Sequence, residues 1–193
     1  MKNRFLKIIS SFLSVLLLVS CTSGVDVSSE IEKDVATVFS EKNVASKFIA
    51  PEIFTDCELS ENVDIQAVES DANAVKVIVL GDVESKITKL SYTDIEIRIW
   101  DKIQSDNNNV TSEYSLEEYV ELWSSSVDVG FTKYTVEGED YYITVGTSGL
   151  GTYFNLLCMN GDYYTFTSGK LNTTGEVDSK TEKKICKDFS IQA

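Results

Sequence analysis

Apolar and polar positions along this chain repeat with two different periods. Three stretches place apolar residues three and four apart: Ile31, Val35, Val38 and Phe39; then Leu116, Tyr119, Val120 and Trp123; then Ile185 and Phe189. One such stripe is what a helix needs in order to lie on a sheet. Each stretch opens with a serine followed three residues later by a glutamate: Ser29/Glu32, Ser115/Glu118 and Ser179/Glu182. In that pairing each side chain satisfies the other residue's backbone N–H, so it predicts three helix starts. Pro51, the single proline, is expected to close the first helical stretch.

Between and after these helices the period falls to two. Val75, Val77 and Val79 share one strand face, and Ile95, Ile97 and Ile99 another, with Asp94, Glu96 and Arg98 turned the opposite way. Shorter strands are predicted at Phe54–Leu59, Val63–Val68 and Lys86–Tyr92. Four more follow the second helix: Phe131–Glu137, Tyr141–Thr147, Thr152–Met159 and Asp162–Thr167. Gly138-Glu139-Asp140 and Asn160-Gly161 read as hairpin turns, the latter of type I′, so this half is expected to be an antiparallel meander. The order helix, strands, helix, strands, helix predicts an α+β fold, an antiparallel sheet of several strands with three helices packed on it. With no Pro- or Gly/Ser-rich linker and no repeat, residues 29–193 read as a single α+β domain.

The amino terminus follows another logic. Lys2, Arg4 and Lys7 precede an apolar run from Ile8 to Val19, which is shorter than the roughly 20 residues that span a bilayer. The run ends in Leu18-Val19-Ser20-Cys21, which resembles the lipobox of bacterial lipoproteins. That resemblance covers residues 1–21. It implies that residues 1–20 are a signal peptide and that Cys21 becomes the lipidated first residue of the mature chain, followed by a short tether over residues 21–28. The expected location is the extracytoplasmic face of the cell membrane, or the outer membrane in a Gram-negative cell. Two or three acyl chains, at about 0.8 kcal/mol per buried CH₂, make a stable anchor.

Loss of residues 1–20 takes three basic side chains and leaves 14 against 31 acidic ones, a net charge of −17. Such a surface repels phosphates, so no nucleic-acid partner is expected and contact with the bilayer is left to the lipid. Of the chemistry that carries catalysis, little is present. The chain has no histidine, which removes Ser-His-Asp and Cys-His nucleophiles and HExxH zinc sites. No lysine has a serine three residues before it. Gly146-Thr147-Ser148-Gly149-Leu150-Gly151 contains three glycines after a strand, but another strand and not a helix follows, so it reads as a hairpin loop. Asp106-Asn107-Asn108-Asn109 lacks calcium-loop spacing, and the pairs Glu139-Asp140 and Glu117-Glu118 are not a dyad by adjacency alone. No catalytic residue, cofactor or metal site is assigned.

Three cysteines remain, Cys57, Cys158 and Cys186, read as buried thiols, with a Cys158–Cys186 disulfide as the alternative. Aromatic pairs gather in the meander at Tyr141-Tyr142, Tyr153-Phe154 and Tyr163-Tyr164. Neighbours on a strand face opposite sides, so each pair sends one ring inward and one outward. Outward rings on adjacent strands would make a platform for sugars or for a partner's apolar side chains, unless cross-strand pairing or the second helix covers that face. Tyr141, Tyr142, Tyr153, Tyr163, Tyr164 and loop residue Ser148 are therefore the candidate ligand-binding residues. An interaction or ligand-binding module for an envelope protein or a glycan is the expected role; a carboxylate-based envelope enzyme such as a glycan hydrolase is the alternative.

The run from Ser115 to Ile191, helix, antiparallel meander and closing helix, resembles the α+β sandwich of the PsbP/Mog1-like superfamily. That resemblance implies binding or assembly in place of chemistry, and no residue is carried over from it.

Overall fold

The computed structural model describes residues 25–41, 48–69, 74–101, 103–105, 111–127, 129–161, 163–173 and 176–191. The expected signal peptide over residues 1–20, Cys21 and the Asp106–Asn109 run lie outside them. Helix α1 spans Ser28–Glu41, α2 Leu116–Val127 and α3 Ser179–Asp188, with a 3₁₀ turn at Glu52–Phe54. The strands are β1 (Cys57–Leu59), β2 (Asp64–Glu69), β3 (Ala74–Ser85), β4 (Ser91–Asp101), β5 (Ile103–Ser105), β6 (Thr111–Glu113), β7 (Thr132–Val136), β8 (Glu139–Ser148), β9 (Gly151–Asn160) and β10 (Tyr163–Leu171). The expected α+β fold is present with strand predominating over helix: β5 and β6 pair apart, and the other eight strands form one antiparallel sheet.

The sheet order is β1-β3-β4-β10-β9-β8-β7. β3 is long enough to take two partners along one edge, β2 against Val75–Leu80 and β1 against Val83–Ser85. Between those segments the register with β4 shifts, and Gly81 takes φ 103 while Asp94 opposite takes φ 54. Such bulges bend a sheet.

Both faces of the sheet are covered. On one, Ile31, Val35 and Phe39 of α1 and Ile185 and Phe189 around α3 pack on Val75, Val77, Val79, Ile95, Ile97, Ile99, Tyr141, Ile143, Phe154, Leu156 and Tyr163. On the other, Tyr119 and Val120 of α2 close a second core with Tyr142, Leu157 and Tyr164, flanked by Leu116, Trp123 and Phe166. The alternation read from the sequence is thus met, with a hydrophobic layer waiting on each side.

Several local expectations are corrected. The reciprocal cap forms at Ser115/Glu118, where Glu118 N–H donates to Ser115 Oγ (3.2 Å) and Ser115 N–H to Glu118 Oε2 (2.8 Å). At α1 it does not form. Asp26 accepts the Ser28 N–H at 3.0 Å, and Glu32 instead accepts from the Ala50 backbone at 2.9 Å. At α3 the cap is Asp178, one residue earlier, accepting from Thr181 N–H at 2.8 Å. Pro51 does not close α1 but precedes the 3₁₀ turn that replaces the start of the Phe54–Leu59 strand. The Lys86–Tyr92 strand is a turn over residues 86–88, with β4 beginning only at Ser91.

The hairpin turns also shift. Glu137 and Gly138 supply the β7–β8 turn, at φ 55 and 94, and Glu139 already belongs to β8. Asn160 pairs with Tyr163 and ends β9, so it belongs to the strand and the turn begins only at Gly161. Asn160 is held in the strand by its buried amide, which accepts from Ile49 N–H (3.1 Å) and donates to Ile49 C=O (2.6 Å). Finally, the paired chain begins upstream of Ser28. Val25 bridges Cys57 by backbone hydrogen bonds, and Val27 is buried.

Candidate interaction surface at the β8–β9 hairpin

The aromatic platform is not formed at the surface. Tyr141, Tyr142, Tyr163 and Tyr164 are all buried. Tyr163 stacks on Phe39 of α1 (5.2 Å between centroids), and Tyr164 on Tyr119 of α2 (4.5 Å). The ring that each pair turns away from the main core is received by α2, an amphipathic helix whose stripe exists to cover it. The hydroxyls are engaged as well: Tyr142 donates to Glu117 at 2.9 Å, Tyr164 to the Tyr114 carbonyl, and Tyr141 accepts the Ile191 N–H at 3.2 Å. All four belong to the two packed cores.

Tyr153 and Ser148 stand elsewhere. Ser148 pairs with Gly151, leaving Gly149 and Leu150 as the two-residue tip of the β8–β9 hairpin. Leu150 is 79% exposed and Tyr153 40%, whereas most apolar side chains of the sheet are sealed. Ser148 Oγ accepts the Leu150 N–H at 3.2 Å, and the Tyr153 hydroxyl donates to the Leu150 carbonyl at 3.2 Å, so the ring is folded back against the tip. Gly151, at φ 131, lets the Lys170 side chain lie against the backbone: a Cβ there would meet Lys170 Cε at 2.6 Å. The result is a braced, acid-free projection with one leucine and one tyrosine face and Lys170 against its base.

The carboxylates have other partners. Lys133 bridges Glu117 and Asp140 at 2.9 Å each, and Thr135 donates to Asp140 at 2.8 Å. The hydrogen bonds from Lys133 hold Glu117 and Asp140 below the usual carboxylate range, and the bonds from Ser115 do the same for Glu118. Glu117 and Asp140 therefore join α2 to the β7–β8 hairpin, and Glu118 caps α2. Among the described residues one carboxylate is pushed upward, Asp188, by burial. It is fully enclosed and accepts hydrogen bonds from Ser85 Oγ (2.5 Å), Thr88 Oγ1 (2.5 Å) and Tyr92 OH (2.6 Å). This group escaped the sequence reading because its partners lie about a hundred positions upstream.

Cys57, Cys158 and Cys186 are free and buried, and no Cys158–Cys186 bridge is made. Burial raises them to about 12, 11 and 12, so none is poised as a nucleophile. Among the described residues no group of three or more acids and cysteines is placed to hold a metal ion, and no helix is long and apolar enough to cross a membrane. No family model, no curated protein and no solved structure matches the chain.

Proposed function

We propose that this chain is a lipid-anchored extracytoplasmic lipoprotein whose α+β domain serves as a non-enzymatic interaction or ligand-binding module at the cell envelope, with the β8–β9 tip as its recognition surface. The carrying observation is the braced exposure of Leu150 and Tyr153 in a domain whose other aromatic pairs are packed away. An exposed tyrosine held by its own hydroxyl bond is a common anchor of recognition, since little side-chain entropy remains to be lost on contact. The lipid half of the reading rests on Leu18-Val19-Ser20-Cys21.

The glycan-hydrolase alternative needs two convergent carboxyl groups, one kept protonated. Asp188 is the sole raised acid among the described residues, and it faces hydroxyls inside the core. The direct test of the anchor is expression of the full chain in bacteria fed an alkyne-tagged palmitate. Label on the parent and its loss in Cys21→Ala, with release of the variant from membranes, supports the reading. An unlabelled parent with an uncut amino terminus rejects it.

A further inference from the structure

The pairing register places the chain's point of attachment and its exposed hairpin at one end of the sheet. From Val25 the line runs to Cys57, then to Ser85. The β3–β4 register carries it to the turn before Ser91, the β4–β10 register to the residues after Leu171, and the β10–β9 register to the tip before Thr152. Five spacings of about 4.8 Å separate Val25 from the β8–β9 tip, roughly 24 Å across one rim. Cys21 stands four residues before Val25, a reach of at most about 14 Å. A lipidated Cys21 therefore holds the Val25 corner of this rim within about 14 Å of the bilayer.

The rim suits that place. Its two turns carry the exposed apolar side chains Ile87 (46%), Leu150 (79%) and Tyr153 (40%). Neither residues 86–90 nor residues 147–153 include an acid, in a chain with 31 of them, and Lys86 and Lys89 flank Ile87; the acids of this rim, Asp26, Asp56 and Glu58, gather at the Val25–Cys57 corner, where Glu58 pairs with Lys86 at 3.4 Å. At the other rim the β7–β8 turn reads Glu137-Gly138-Glu139-Asp140. We propose that the partner of the β8–β9 tip is the lipid surface itself: Leu150, Tyr153 and Ile87 enter the headgroup layer and stand the domain upright, the Glu137–Asp140 turn outward. Tyrosine with a leucine beside it is the chemistry of that interface, an apolar body with a polar tip. This deepens the reading above and rests on it.

The test uses the lipidated full chain in phosphatidylcholine vesicles, with and without phosphatidylglycerol, carrying acyl-brominated lipid as a quencher. Leu150→Trp reports one tip, Ile87→Trp the other, and Leu122→Trp on the outer side of α2 serves as reference, each read against the parent's own tryptophans. Expected are a blue shift and loss of the added emission for both tip variants, and neither for the reference. Vesicle flotation and the palmitate label are scored on the same samples. If the protein floats and is labelled but neither tip is quenched, the inference fails and the lipoprotein reading stands. If it neither floats nor carries label, both fall.

Discussion

Replacing Asp188 by alanine should be among the most damaging single changes in this domain. The residue ends α3, where a negative charge opposes the helix dipole, and it lies wholly inside the protein. Its position makes sense only through the three hydroxyls of Ser85, Thr88 and Tyr92, which pin the closing helix to the β3–β4 turn. Leaving three hydroxyl donors without their shared buried acceptor costs about 1–3 kcal/mol apiece before the site relaxes, about 3–5 kcal/mol together, a large part of the 5–15 kcal/mol available to a domain. For a chain this size, that corresponds to a fall in Tm of about 6–20 °C. Asp188→Asn keeps the shape and one acceptor and should lose less. The two variants also separate by pH. Burial raises the Asp188 carboxyl in the folded state, so the folded protein holds its proton over a window where the unfolded chain has released it. The contribution is thus fully present below the unfolded value and is lost as pH rises towards the folded one. Urea titrations of parent and Asp188→Asn across that window should show the difference narrowing as pH rises. An alanine variant within about 1 kcal/mol of the parent would refute the clasp.

Gly169→Ala tests the packing of β10. Its Cβ would sit 2.8 Å from Phe154 Cε1 and 3.0 Å from Cζ, in a core where Phe154 is fully buried and cannot swing aside. Overpacking of this kind costs about 1–3 kcal/mol, read as a lower urea midpoint with unchanged slope. The thiols give a second check through a coloured thiol reagent. The lipidated protein should show no reactive thiol when folded and three when unfolded, because the buried groups are raised to about 11–12 and Cys21 is capped. A count of one after unfolding would mean that a disulfide had formed.

What the sequence reveals and conceals follows from the range of each interaction. The strand faces of Val75–Val79 and Ile95–Ile99 and the stripes of α1, α2 and α3 were legible, since periodicity is a direct record of burial. The Ser115/Glu118 cap was legible because both partners are local. The same pattern misleads at Ser29/Glu32, where Glu32 is claimed by a backbone amide eighteen residues away. Alternation told which way Tyr142 and Tyr164 point but not that α2 lies over them. That is a tertiary fact, hinted at only by the helix having a stripe of its own to bury. The Asp188 clasp left no local signal, and nothing local told that Tyr153, on the same face as Leu157, is left exposed beside the hairpin tip while Tyr142 and Tyr164 are covered.

With helices on both faces, the sheet has only its edges and rims left for contact. The β7 edge is guarded, with Lys133 held by Glu117 and Asp140, and Tyr134 donating to Glu182 of α3 at 2.6 Å. On the proposed lipidation of Cys21, the rim beside Val25 is the surface nearest the anchor, and tether length becomes the variable that separates attachment from orientation. Three side chains at a headgroup layer hold weakly by themselves, so their contact depends on effective concentration, which falls roughly as the −3/2 power of linker length. Extending the four-residue interval between Cys21 and Val25 about sixfold with Gly/Ser lowers it roughly fifteen-fold. Palmitate labelling, flotation and urea midpoint should be unchanged, while quenching of Leu150→Trp by brominated lipid falls away. Undiminished quenching with the long tether would show that the tips bind the bilayer without help from the anchor, and that the short tether has no part in orienting the domain.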